Sequence, residues 1–218
     1  VGRSLFHACC SRMTDAFDDE EPEKAVMYTY DQVNDTWSRE RTLVHFAKRP
    51  FAAGGMRVCY KMRNAGSSTT LVAKMFMKKV RPEVYFDEAM TQMLAESYAQ
   101  EFNKRYPERP ITFLPVSVFQ LKERGGQLVN IEPFLDGTYV KHNDNDGNVE
   151  TNELLPQAFS HFSWEASDKQ ILIIDIQGVG DFYTDPQIHS WDGESFGQGN
   201  LGMAGINAFL QSHTCNSI

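Results

Sequence analysis

Nowhere does the chain carry an apolar run approaching the roughly 20 residues that a membrane-spanning helix needs, and its N-terminal stretch lacks the hydrophobic centre of a signal peptide. A cytoplasmic location with no membrane attachment of the chain's own is therefore expected. Positive charge is also in the minority, because 21 Lys and Arg stand against 29 Asp and Glu, for a formal net charge of -8. A protein whose main task is to grip nucleic acid by its phosphates needs the opposite balance, so a nucleic-acid partner is not expected. Cysteine is scarce: Cys9, Cys10, Cys59 and Cys215 include an adjacent pair and give no disulfide framework, which fits a reducing compartment. Internal repeats, long low-complexity tracts and an H-E-x-x-H helix are all missing, and the last absence removes the usual general-base arrangement of a zinc hydrolase.

What is present is enough apolar material for a core. With 41% hydrophobic and 12% aromatic residues in 218, the chain suits one large domain or two lobes. It opens on Val1 and closes after HTCNSI, which reads as a piece of a longer parent with further domains. Residues 1–25, with Phe6, Cys9, Cys10, Met13, Phe17 and the acidic run DDEEPE, read as an extension and linker. Residues 26–135 read as a first lobe. There VMYTYD, WSRERTLVHF, MRVCYKM and TTLVAKMFM alternate as strands, with turn material at Asn34-Asp35, Gly54-Gly55 and AGSS, so consecutive hairpins forming an antiparallel sheet are expected. Val84 to Tyr106 has a helical period, with Phe86, Met90, Met93, Leu94, Tyr98 and Phe102 on or near one face. PITFLPVSVFQL and QLVNIEPFL, joined by ERGG, read as a further hairpin. Residues 136–218 read as a second lobe with polar loops, one apolar strand over Ile171–Ile176, and helices near Pro156–Phe162 and Gly202–Ser212.

The strand ILIIDI runs straight into Asp175 and Gln177, and GVGDFYTDPQ then reaches Asp185. Hard cations take oxygen ligands, and a carboxylate, a carboxamide and a second carboxylate beyond a glycine turn can supply them beside a phosphate. Phosphoryl transfer from ATP follows as the reading. In the first lobe a Gly-Gly turn precedes a strand, and Lys74 follows in VAK on the next one, an order suited to cradling phosphates. An ordinary hairpin with a solvent-facing lysine fits the same residues. Should Lys74 point inward it needs a carboxylate partner. Helical spacing favours Glu96, at the edge of the apolar stripe, over Glu88 on the more polar side.

Three further patterns bear on function. GQGNLG, Gly197 to Gly202, has the glycine spacing of a dinucleotide fingerprint, but no βαβ unit can follow in the remaining chain, so it reads as a loop near an active site or a helix entry, with Asn200 placed to cap the next helix. His142 to Glu153 imitates a calcium loop, yet His142 stands where the first carboxylate belongs, and a hairpin loop is the better reading. His161, His213 and Cys215 offer two imidazoles and a thiolate to zinc, against the alternative of ordinary histidines and a buried thiol.

Together PQAFSHFSWE, DIQGVGDFYTDPQIHS, FGQGNLGMAGINAFLQSHTCN and VAK resemble the atypical alpha-kinases, which include the myosin heavy chain kinases and elongation-factor-two kinase. The resemblance spans roughly residues 26–218. It implies an α+β, two-lobed, protein-kinase-like fold with mostly antiparallel sheet in the first lobe, and an ATP- and Mg²⁺-dependent Ser/Thr protein kinase. It also implies roles: Lys74 on the ATP phosphates, Arg57 over the nucleotide, Glu132 and Leu135 at adenine, Glu88 as the lysine's partner, Asp175 toward the substrate hydroxyl, Gln177 and Asp185 on Mg²⁺, and Gly197, Gly199, Asn200 and Gly202 in a loop beside the substrate. A structural Zn²⁺ would take His161, His213 and Cys215, its fourth ligand falling just past Ile218. Some relatives dock a phosphothreonine with an Arg shortly before PQAFSHF; Glu153 lies in that stretch here, and a carboxylate repels phosphate. The acidic balance favours substrates with basic residues near the hydroxyl. A catalytically silent nucleotide-binding scaffold of the same fold is the alternative, and a zinc-dependent hydrolase a remoter one.

Overall fold

The computed structural model describes residues 21–216 and 218. Phe6, Cys9, Cys10, Met13, Phe17 and the start of the acidic run lie outside the described residues. The chain forms two compact units. One comprises the described residues up to Ala89 together with Pro115–Leu135; the other comprises Met90–Leu114 and Asp136–Ile218. The expected uninterrupted lobe 26–135 is thus corrected: 90–114 belong with the second unit, and the first strand already begins at Glu23.

In the first unit the expected hairpins close on themselves. β1 (Glu23–Asp31), β2 (Thr36–Ala53), β3 (Arg57–Asn64), β4 (Leu71–Phe76), β6 (Ser117–Leu121) and β7 (Gln127–Pro133) form a barrel in the order β1-β2-β3-β4-β7-β6, closed by antiparallel pairing of Ala25 with Leu121. Closure removes the free edges that an open sheet would expose. Alternation sends Ala25, Val44, Phe46, Met62, Ala73, Phe119, Leu121, Val129 and Ile131 inward as one core. Burying each of the larger of these contributes about 1.5–3 kcal/mol. Pro50 interrupts the β2–β3 register, as a residue without an N–H must.

The helix α1 (Glu83–Arg105) starts and stops within a residue of the expected limits. The division between the units falls within it, after Ala89. Its buried positions match the expected stripe in part: Phe102 enters the second unit's core with Leu94 and Tyr98 packed against it, but Ala95 and Ala99 join the core and Met90 is exposed. Alanines let the helix backbone approach its neighbours closely, so small residues carry the contact.

PITFLPVSVFQL is not one strand. β5 (Thr112–Phe113) pairs in parallel with β11 (Phe182–Thr184) in the second unit, and Pro115 separates it from β6. β11 in turn pairs with β10 (Gln177–Val179), and β10 with β8 (Val140–Lys141). β9 (Ile171–Ile174) pairs with β12 (Gln187–Ser190). The single apolar strand of the sequence reading is therefore one of several short strands. The hairpin β10–β11 requires Gly178, where a Cβ would lie 1.9 Å from the Phe182 carbonyl oxygen. The helices α2 (Leu154–Ala166) and α3 (Gly202–Ser212) complete the unit. Phe102, Phe113, Leu155, Phe159, Ile173, Ile176 and Tyr183 form its main core.

Candidate functional site

Lys74 follows Ala73 on β4, and because Ala73 faces the barrel interior, Lys74 faces the opposite side of the sheet. It is only 6% exposed. Cys59 and Asn130 flank it in register, and Glu132 sits diagonally across, opposite Val72. Lys74 Nζ lies 2.7 Å from Glu132 Oε2, with the Glu132 side chain 3% exposed. A buried ammonium requires such a counter-charge. The expectation gave the lysine's partner as Glu88 and placed Glu132 at adenine; the structure brings Glu132 onto the lysine, while Glu88 bonds the Arg57 guanidinium. Glu96 is committed elsewhere, accepting the Phe113 N–H at 2.7 Å. Arg57 also lies 5.6 Å from the centre of the Phe76 ring. Asn130 donates to the Tyr85 carbonyl, but its buried Oδ1 finds no donor among the described residues. Leu135 closes this unit at the end of the segment that follows β7.

The second unit holds the other group. Asp175 follows β9, Gln177 opens β10 and Asp185 follows β11; the pairing of Gln177 with Thr184 brings the three together. Gln177 Nε2 donates to Asp175 Oδ2 at 2.9 Å and to the Asp185 carbonyl oxygen at 3.3 Å. The carboxamide oxygen of Gln177 is then the atom left to face a cation. Lys141, in register with Gln177, was not singled out from the sequence, and its Nζ lies 2.5 Å from Asp175 Oδ1. Oδ1 is buried, and among the described residues no donor besides this ammonium reaches it. Burial pushes the Asp175 carboxyl above its usual range, and Lys141 pulls it back down. Asp175 and Asp185 both adopt left-handed backbone, with φ of 62° and 54°. Such conformations cost on the order of 1–3 kcal/mol for a residue with a Cβ and gather at functional sites.

The Gly197–Gly202 loop is tied down from within. Asn200 Oδ1 accepts the Ser190 and Gly202 N–H groups, and its Nδ2 donates to Ser190 Oγ and the Ser195 carbonyl. Both ends of its carboxamide are used, so Asn200 supplies loop shape. Leu201 holds the formal cap position of α3, although Asn200 does satisfy the helix's first N–H. Gly199 lies against Gln187, whose Oε1 would be 1.5 Å from an added Cβ.

His161 on α2 and His213 and Cys215 beyond α3 converge, with one ligand atom from each within 4.8 Å of the others. His213 Nε2 is 3.1 Å from His161 Nδ1, and Cys215 Sγ is 3.8 Å from the same nitrogen. The imitation calcium loop is otherwise engaged: Asp144 accepts the Asp146 and Asn148 N–H groups. Glu153 lies 3.3 Å from Arg109, which also meets Asp181 at 3.2 Å. A phosphate arriving there would find an occupied guanidinium beside a carboxylate.

Residues 52–218 match the Alpha-kinase family. The chain belongs to the alpha-kinase family. It is 38% identical to eukaryotic elongation factor 2 kinase of Rattus norvegicus over 213 residues, covering 92% of this chain and 29% of that protein. It is 42% identical to myosin heavy chain kinase C of Dictyostelium discoideum over 198 residues, covering 86% of this chain and 25% of that protein. The chain thus spans less than a third of these relatives. Among solved structures, the alpha-kinase domain of myosin heavy chain kinase A in complex with AMP superimposes with a TM-score of 0.86 at 36% identity, covering 90% of this chain and 96% of that one. An inactive form of the same domain in complex with ATP gives 0.87 at 35%, covering 91% and 96%. The two-lobed, kinase-like α+β architecture inferred from the motifs is the fold of this family.

Proposed function

We propose that this alpha-kinase domain transfers the γ-phosphoryl group of Mg·ATP to a threonine or serine hydroxyl of a protein substrate. The observation that carries the reading is the cluster of Asp175, Gln177 and Asp185, with Lys141 on Asp175. The residues fit a hard cation: the Gln177 carboxamide oxygen and the Asp185 carboxylate are oxygen ligands suited to Mg²⁺. Bound there, Mg²⁺ would neutralise phosphate charge. Lys74, held by Glu132, places a fixed positive charge for the ATP phosphates, and Arg57 adds a second cation in the same unit. Asp175 orients the attacking hydroxyl and receives its proton, and Lys141 holds that carboxylate. Positioning and electrostatics do most of the work in phosphoryl transfer, which matches a site built from charges and left-handed turns.

His161, His213 and Cys215 have the nitrogen and sulfur chemistry of a zinc site, and a structural Zn²⁺ would join α2 to the segment after α3. The proposed substrates carry basic residues near the hydroxyl, in keeping with the net charge of -8. A cytoplasmic setting in a longer parent chain is part of the same reading. The test is transfer of labelled γ-phosphate to matched basic peptides differing only in Thr, Ser or Tyr. Label on Thr or Ser and none on Tyr is expected; ATP binding without transfer to any peptide would favour a silent scaffold.

A further inference from the structure

Two buried carboxamides with no part in the chemistry above each hold the backbone beside one of the catalytic carboxylates. Asn143 is 1% exposed and follows β8. Its Oδ1 accepts the Ile176 N–H at 2.7 Å, the amide directly after Asp175, while its Nδ2 donates to Gln157 Oε1 and Ser160 Oγ on α2, each at 3.2 Å. Gln92 on α1 is 3% exposed. Its Oε1 accepts the N–H of Asp185 itself at 2.9 Å, and its Nε2 donates to the Leu114 carbonyl at 2.8 Å.

The two arrangements answer the same physical need. Ile176 lies in the gap between β9 and β10, and Asp185 in the gap between β11 and β12, where the sheet ladders do not reach their N–H groups. Both gaps carry an aspartate with positive φ. A left-handed turn in a residue with a Cβ persists only when its surroundings over-determine it. A buried N–H left without an acceptor adds a further cost. Each carboxamide meets both needs at once, because its oxygen takes the stranded N–H and its nitrogen is anchored to a helix or loop.

We propose that Asn143 and Gln92 are positioning residues, a matched pair of carboxamide clamps that fix the left-handed turns carrying Asp175 and Asp185. The clamps rest on the kinase reading for their role in turnover, and on the hydrogen bonds alone for their effect on the backbone. They act through Asp175 and Asp185 and touch neither nucleotide nor substrate.

The test uses the full 218-residue chain and the variants Asn143→Leu and Gln92→Met, which keep volume and lose the acceptor oxygen. Three quantities are read: kcat and KM for Mg·ATP with a threonine peptide, hydrogen exchange at the Ile176 and Asp185 amides, and melting temperature. Loss of positioning predicts that kcat falls about 10²-fold while KM for ATP stays within about threefold. Exchange should rise at the clamped amide while that of Leu172 and Ile173 stays slow. Parent-like kcat, or unchanged exchange at both amides, would overturn the proposal. Should either variant fail to fold, Asn143→Asp and Gln92→Glu serve instead, since they keep an acceptor oxygen and lose only the donor. They should retain parent-like protection at the two amides, and faster exchange there would count against the clamps. Absence of transfer in the parent chain itself would overturn the kinase reading, and the exchange measurement would still decide the clamps.

Discussion

Lys141 Nζ lies 2.5 Å from Asp175 Oδ1, joining β8 to the end of β9 through a carboxylate that burial pushes above its usual range. A buried carboxylate stays ionised only if something offsets its lost hydration, and this ammonium is the named counterweight. The pair makes the state of Asp175 depend on a residue far from it in the chain.

Replacing that ammonium should therefore impair turnover more than folding. Lys141→Met is expected to lower kcat about 10²-fold with the melting temperature nearly unchanged, since the Lys141 side chain is 34% exposed and methionine keeps most of its volume. Steady-state kinetics beside a thermal melt checks this. Parent-like kcat would show that the pair is incidental.

For Lys74 and Glu132 the order is reversed, because both are buried and their opposite charges offset one another at 2.7 Å. Glu132→Ala should destabilise the first unit by about 3–5 kcal/mol, the range for breaking a buried ion pair on one side. Lys74→Met combined with Glu132→Leu should recover much of that stability and still lack ATP-dependent turnover. Denaturant midpoints for the single and double variants measure it, and additive losses would refute the coupling.

His189 gives a pH dependence of defined sign. The Leu201 N–H points at its Nδ1, 3.1 Å away, so the ring proton resides on Nε2 and is donated to the Asn145 carbonyl. Burial depresses its pKa below 6.5, with the Asn145 carbonyl and Asp146 pulling back up. The buried His142 is depressed the same way, burial again leading. The unfolded chain gains its protons near 6.5 and the native fold resists them, so stability is full above that value and falls as pH drops through the depressed range. Melting temperature should decline below about pH 6.5, and His189→Gln should make the decline shallower. An unchanged slope would contradict this.

The cluster of His161, His213 and Cys215 predicts one zinc per chain by elemental analysis. Chelation, or Cys215→Ser, should lower the melting temperature of the second unit and leave the first unit's barrel intact. A metal-free chain with an unaltered melt on adding chelator would remove the site.

The sequence was most readable where local periodicity and burial agree. Strands β1 to β4 fall on the strand-like segments of the sequence, though the sequence leaves open which side of the sheet carries Lys74, and α3 begins at Gly202 as its glycine-rich entry implies. Asp175, Gln177 and Asp185 could be picked out because a run of isoleucines delivers them to a strand end. Barrel closure was not legible, since Ala25 meets Leu121 through pairing of distant segments that no local pattern records. β10, β11 and β12 are too short, and too polar on one side, to show a period of two. Periodicity preferred Glu96 over Glu88, and neither that rule nor the motif resemblance pointed to Glu132 as the carboxylate 2.7 Å from Lys74. Lys141 went unnoticed for a related reason: its importance comes from register with Gln177, a property of the sheet and not of the segment.

The most direct test compares this chain with its Asp185→Ala form in transfer of labelled γ-phosphate from Mg·ATP to a basic threonine peptide, with melting temperature measured alongside. Transfer by the parent, and its loss in a variant that remains folded, is the predicted result. Near-parent transfer by Asp185→Ala would contradict the assignment of this carboxylate to the metal-binding centre of the reaction.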